Sequence, residues 1–331
     1  MAAVKARPRI FVTQPIADSA IRRLRAIATV KVNSDSSKII SKTRMIAGVR
    51  NCDILVSLLH DKVDRAVIAA NPGLRAVCSM AITPDNIDVN AATERGIPVT
   101  VVPPIVSEAT ADMHFALLLA VARRLVEGDK TVRAGKFPGS QSNHLAGACV
   151  YGKTIGLVGA GRIGQATARR ARGFDMKVLY WAPRRKLDAE REIGMEYVSL
   201  DRLLREADFI SLHPTLSPET RHMISDAEFA KMKPSVFIIN TARGAVVDEK
   251  ALVRALKNKR IAGAGLDVFE QEPKLQPALI GMKNVVLTPH LGSAVMEVRD
   301  VMANLVADNV EALLAGRSPP NCVNPEVLMP R

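Results

Sequence analysis

The run Thr154-Ile-Gly-Leu-Val-Gly-Ala-Gly-Arg-Ile-Gly164 constrains this chain more than any other stretch. In it an apolar β-run leads straight into Gly159-x-Gly161-x-x-Gly164 and then into a helical pattern. Gly159 permits the tight turn after the strand, Gly161 lets the backbone approach a pyrophosphate with no Cβ in the way, and Gly164 lets the helix pack closely on the sheet. The helix N-terminus, with Arg162 and Ile163 as its first residues, then faces the negative charge. The strand Ile155 to Val158, the amphipathic helix Ile163 to Ala171 and the next strand, Lys177 to Trp181, complete a βαβ unit. The pattern predicts a dinucleotide site on Gly159, Gly161, Arg162, Ile163 and Gly164.

The second strand of such a unit ends in an acidic residue about 20 positions on when the ligand is NAD, because a carboxylate there binds the ribose 2′-hydroxyl. Here Val178 to Ala182 runs into Pro183-Arg184-Arg185-Lys186, and no carboxylate comes before Asp188. Guanidinium groups in that position suit a 2′-phosphate. Arg184 and Arg185 therefore point to NADP(H), with NADPH preferred and NAD possible.

With 331 residues, 48% of them hydrophobic, the chain is long enough for two cores. Apolar runs stay short of the ~20 residues of a membrane span, and the basic start, Met1 to Arg9, passes directly into a short strand with no signal-peptide pattern. A soluble, cytoplasmic protein is expected. Cys52, Cys78, Cys149 and Cys322 have no metal or redox spacing, so no metal is expected and a reducing compartment fits. The net charge of +13 is spread along many helices and aromatic content is only 4%, so the charge reads as solvated surface that attracts anionic ligands, not as a nucleic-acid face.

Short apolar strands alternate with helical patterns throughout, the signature of parallel sheets flanked by helices. The first set has strands at 9–13, 29–32, 53–57, 74–78 and 98–100, with Gly96 ending the helix 89–95. A long apolar helix is expected over Glu108–Val126, followed by an irregular arm, Gly128 to Gly152. The second set begins at Thr154 and continues with strands at 209–212, 236–239, 261–268 and 285–288. A last helix, 294–314, precedes a tail too short for a core of its own.

Three polar clusters lie just after strands of the second set: Asn240-Thr241-Ala-Arg243, Gly265-Leu-Asp267 with Glu272-Pro273, and Thr288-Pro-His290-Leu-Gly292-Ser293. Strand C-termini are where open α/β sheets bind ligands. Together with Asp85-Asn-Ile-Asp88 and Glu108-Ala-Thr110-Ala-Asp112, these ordered motifs resemble the NAD(P)-dependent D-2-hydroxyacid dehydrogenase family, which includes glyoxylate and hydroxypyruvate reductases. The resemblance covers nearly the whole chain. It implies two Rossmann-like, doubly wound domains, with a dinucleotide-binding domain (103–292) inserted into a discontinuous substrate domain (1–102 and 293–331), and a homodimer built on the long helix and the arm.

Reduction of a 2-keto acid needs a cation for the carboxylate, a proton donor for the carbonyl oxygen and a hydride for the carbonyl carbon. Arg243 is a permanent planar cation, and His290 a proton donor that works near neutral pH. Glu272 is similar to the family's glutamate that pairs with this histidine, orienting the ring and favouring its protonated form. By the same resemblance Asp267 and Thr110 lie on the nicotinamide side, while Thr241 and His213 are counted with the cofactor contacts. The loop before Asp85 departs from the family's small, glycine-containing pattern. Its Met80-Ala-Ile82-Thr83-Pro84 places a β-branched residue and a proline where the amides of Ile82 and Thr83 would cradle a carboxylate, which favours compact substrates.

Two other readings compete. Formate dehydrogenases of this fold carry glutamine where Glu272 stands, so Glu272 points to hydroxy acids. Transcriptional corepressors of the family keep the same catalytic motifs; turnover of a 2-keto acid separates an enzyme from that role.

Overall fold

The structure is a computed structural model that describes residues 6–329, so the first five residues of the basic N-terminal stretch lie outside it. The chain forms two compact units, Met1–Ile105 with Val295–Arg331, and Val106–Ala294.

The first unit starts with β1 (Arg9–Val12), α1 (Asp18–Ile27), β2 (Thr29–Val32), α2 (Lys42–Val49), β3 (Ile54–Ser57), α3 (Arg65–Ala69), β4 (Ala76–Ser79), α4 (Val89–Glu94) and β5 (Val99–Thr100). The strands form one parallel sheet in the order β2-β1-β3-β4-β5. β3 and β4 are buried at every position, as continuous apolar strands covered on both faces must be. α3 and α4 are capped at their N-termini by Asp64 and Asp88, whose carboxylates accept N–H bonds from Val67 and Ala91. Just past α4 and its C-cap Arg95, Gly96 has a φ of 65° that suits a residue without Cβ.

The second unit comprises α5 (Ser107–Ala122), α6 (Leu125–Arg133), β6 (Thr154–Val158), α7 (Arg162–Arg172), β7 (Lys177–Trp181), α8 (Leu187–Ile193), β8 (Glu196–Tyr197), α9 (Leu200–Glu206), β9 (Phe209–Leu212), α10 (Asp226–Phe229), β10 (Phe237–Asn240), α11 (Glu249–Lys257), β11 (Gly263–Leu266), α12 (Pro277–Ile280) and β12 (Val285–Leu287). Its parallel sheet runs β12-β11-β10-β9-β6-β7-β8. The order reverses between β9 and β6, and the crevice above that switch point is where such sheets hold ligands. Leu157, Leu179, Phe209, Ile210, Ile238 and Ile239 fill the core around the central strands.

The chain then returns to the first unit as α13 (Met296–Leu314), which packs on α1, where Arg23 bridges Asp308 and Glu311. The tail is pinned rather than loose. Asn324, 2% exposed, accepts the Val99 N–H and donates to Thr93 and to the Ile97 carbonyl, closing the β5 edge.

Two expectations change. The long helix ends at Ala122 instead of Val126, because Arg124 takes a left-handed conformation (φ 52°) and turns the chain into α6. Part of the expected irregular arm is therefore helical, with Arg124 held by Glu127 across that new first turn. The two-residue edge strand β8 had no sequence signal, being too short to show a period.

Candidate active site

The loop from β6 to α7 is shaped by its glycines. Gly159 has φ 98°, and a Cβ there would lie 2.8 Å from the His213 carbonyl carbon; one on Gly164 would lie 2.4 Å from the Gly159 oxygen. A Cβ on Gly161 would meet nothing within 4 Å, so no neighbour in the fold requires glycine there. Gly161 is exposed, and no side chain caps α7, whose first residues are Arg162 and Ile163. An uncapped helix N-terminus beside a bare backbone surface fits a pyrophosphate.

Beside this loop, Ser211 Oγ contacts His213 Nε2 at 2.6 Å and His114 Nε2 at 3.0 Å. One hydroxyl proton serves at most one of these contacts, so at least one of the rings donates an Nε2–H to Oγ. Burial pushes His213 down to about 3, and burial with the neighbouring His213 puts His114 well below the ordinary histidine range, so both rings are neutral. His213 retains some surface, but its Nδ1 is buried and has no partner among the described residues. Sequence reading placed His213 by the cofactor and missed Ser211 and His114, which carry no motif.

At the end of β7, Ala182 is buried and Arg184 and Arg185 are exposed. Arg185 makes a two-pronged ion pair with Glu190 at 2.8 Å and lies 5.7 Å above the Tyr197 ring. The same Glu190 accepts from Tyr180, whose hydroxyl is pushed up to about 12 by burial and by that carboxylate. Arg184 makes no hydrogen bond or ion pair among the described residues. The two arginines are thus unequal, which their adjacency in sequence does not reveal.

The three polar clusters sit at the C-terminal ends of β10, β11 and β12. Asp267, 1% exposed, accepts Thr288 Oγ1–H at 2.6 Å, Leu291 N–H at 2.7 Å and Gly292 N–H at 2.8 Å. It thereby shapes the turn that carries His290, itself left-handed at φ 58°. Thr110, from α5, donates to the Gly292 carbonyl at 3.2 Å. His290 Nδ1 meets Glu272 Oε2 at 2.8 Å, both side chains keeping less than a fifth of their surface, while Glu272 Oε1 accepts the Phe269 N–H at 2.9 Å. Arg243 follows β10, with its Nη1 donating to the Ala242 carbonyl. Gly244 lets this turn lie against the loop bearing Glu272, since a Cβ there would fall 1.9 Å from the Phe269 carbonyl carbon. Thr241 is 7% exposed, and its buried Oγ1 has no partner among the described residues.

Arg243, Glu272, His290, Thr110, Thr241, Asp267 and the glycine loop thus all belong to the second unit. Ile82 and Thr83 belong to the first, in the loop after β4, where Thr83 Oγ1 donates to Asp85 at 2.9 Å. The buried carboxylate of Glu249, beside the Glu272 loop, is a further residue that sequence reading passed over.

The family described as D-isomer specific 2-hydroxyacid dehydrogenase, NAD binding domain, matches residues 115–292. A glyoxylate reductase of Thermococcus litoralis is 48% identical over 326 residues, covering 97% of this chain and 98% of that protein. A solved Thermus thermophilus protein superposes with TM-score 0.88 at 41% identity, over 95% of this chain and 99% of that one. An NADPH-dependent glyoxylate/hydroxypyruvate reductase of Sinorhizobium meliloti, solved with NADP and malonate, gives TM-score 0.82 at 30% identity, over 98% and 99%.

Proposed function

Because the chain belongs to the D-isomer-specific 2-hydroxyacid dehydrogenase family, we propose that this oxidoreductase reduces small 2-keto acids, glyoxylate or hydroxypyruvate, with NADPH. The observation that carries the reading is the 2.8 Å contact between His290 and Glu272 in the same unit as a glycine loop left open at Gly161.

In this reading, Val106–Ala294 is the dinucleotide-binding domain and Met1–Ile105 with Val295–Arg331 the substrate domain. Gly159, Gly161, Arg162, Ile163 and Gly164 hold the pyrophosphate at the start of α7, and Arg184 holds the 2′-phosphate. Thr110, Thr241, His213 and Asp267 line the cofactor's remaining length; the orphaned Thr241 hydroxyl supports this, since a buried polar group needs a partner. When bound, NADPH supplies the hydride for the carbonyl carbon. Arg243 binds the substrate carboxylate. His290 gives its proton to the carbonyl oxygen. Its Nδ1 faces Glu272, so Nε2 is the donating nitrogen, and the carboxylate fixes the ring's tautomer and orientation.

A homodimer completes the reading. α6 has no buried residue, and Leu125, Val132 and Phe137 are 63%, 60% and 66% exposed, an apolar face that a second copy covers. No helix among the described residues is long and apolar enough to cross a membrane.

The test is a panel of glyoxylate, hydroxypyruvate and phenylpyruvate with NADPH and NADH. The two compact acids with NADPH should give the highest kcat/KM. Turnover of none of the three, or phenylpyruvate as the best substrate, refutes the reading.

A further inference from the structure

We propose that Glu249 is a positioning residue for reduction, one carboxylate clasping both ends of the loop that holds Glu272 against His290. The proposal rests on the role given above to the Glu272–His290 pair. Glu249 opens α11 and is 5% exposed. Its Oε1 accepts the Glu270 N–H at 2.6 Å and its Oε2 the Gln276 N–H at 3.2 Å. These amides stand two residues before Glu272 and four after it, so Glu249 ties the loop at its base on both sides. Inside the tie, the Lys274 N–H closes a turn on the Gln271 carbonyl at 2.9 Å, and Glu272 itself takes the Phe269 N–H.

The arrangement is costly. Burial, with further contributions from Glu270 and Glu272, raises the Glu249 carboxyl above the usual range, while the two amide bonds pull it down. No cation among the described residues pairs with it. Glu270 has its own partners in Arg221 and His222, Glu272 has His290, and Asp248 is turned to the Lys250 and Ala251 amides as the cap of α11. What a carboxylate alone offers here is two acceptor oxygens for two converging N–H groups. A glutamine would set its NH₂ against one of them and open one end of the clasp.

Two variants test this independently, Glu249→Gln and Gln276→Pro. At Gln276 the φ of −61° already suits proline, so that change deletes the N–H facing Oε2 and sets the ring Cδ against that oxygen, opening the same end of the clasp with Glu249 itself unchanged. Each should lower kcat for glyoxylate about tenfold by misplacing the pair, an ångström-scale effect. KM and the Kd for NADPH should stay within about twofold, and in a Glu272→Gln background neither change should cost more than about a further twofold. A general structural role predicts instead the same loss in both backgrounds, and that additivity overturns the proposal. If Glu272→Gln lowers kcat while both clasp variants remain at wild-type rates, the clasp alone fails. If Glu272→Gln itself leaves kcat unchanged, the role of the pair fails and the clasp with it.

Discussion

Substituting two glycines five and two residues beyond Gly159 separates a cofactor role from a packing role, because their surroundings differ. A Cβ on Gly161 meets no atom within 4 Å, and its φ of −75° and ψ of −166° are open to alanine. Gly161→Ala loses a little as a helix N-cap and gains about 0.4–1 kcal/mol from a stiffer unfolded chain, so stability should stay within about 1 kcal/mol of wild type. If the pyrophosphate lies over Gly161, the methyl group occupies its space. Overpacking of this kind costs about 1–3 kcal/mol, or about 5- to 150-fold in Kd. Gly164→Ala differs, since its Cβ would sit 2.4 Å from the Gly159 oxygen and force the backbone apart. That variant should lose about 1–3 kcal/mol of stability, at about 2–4 °C of Tm per kcal/mol. Thermal melts and fluorescence titration with NADPH read both effects. A folded Gly161→Ala protein that binds NADPH with wild-type Kd shows that the phosphates lie elsewhere.

Other outcomes follow from the same geometry. His290→Ala should reduce keto-acid turnover by about 10²–10⁴-fold, the usual contribution of a general acid, with NADPH binding kept; turnover within a few-fold of wild type excludes His290 as donor. Arg184→Ala should lower the NADPH over NADH ratio of kcat/KM about tenfold, the low end for a charge-assisted hydrogen bond. Arg185→Ala should change it less, because Glu190 already engages that guanidinium; the reverse ranking would assign the 2′-phosphate to Arg185. Acid should destabilise the protein through His213. Its folded pKa, about 3, lies below the ordinary histidine value, so the unfolded chain binds the extra proton between about pH 6.5 and 3 and stability falls as pH drops through that window. His213→Asn should flatten this slope of Tm against pH, and an unchanged slope would contradict a neutral buried ring.

Much of the architecture is local and could be read directly. β7 and β9 span the residues that their local pattern predicts, 177–181 and 209–212, and the turn at Gly159 is written in three glycines because strand, turn and helix are contiguous. The helix break at Arg124 could not be read, since Leu125 and Val126 prolong the apolar pattern and only the left-handed Arg124 interrupts it. The inequality of Arg184 and Arg185 depends on where α8 brings Glu190. The contacts of the candidate site depend on folding at longer range: His114 meets Ser211 across 97 positions, and Glu249 reaches Gln276 across 27. The sequence by itself determined the residue types, the strand–helix alternation and the family motifs. Tertiary structure decided which side chains became neighbours, because the register of parallel strands joined by crossover helices brings distant strand ends to one rim of the sheet, and no local period encodes that register.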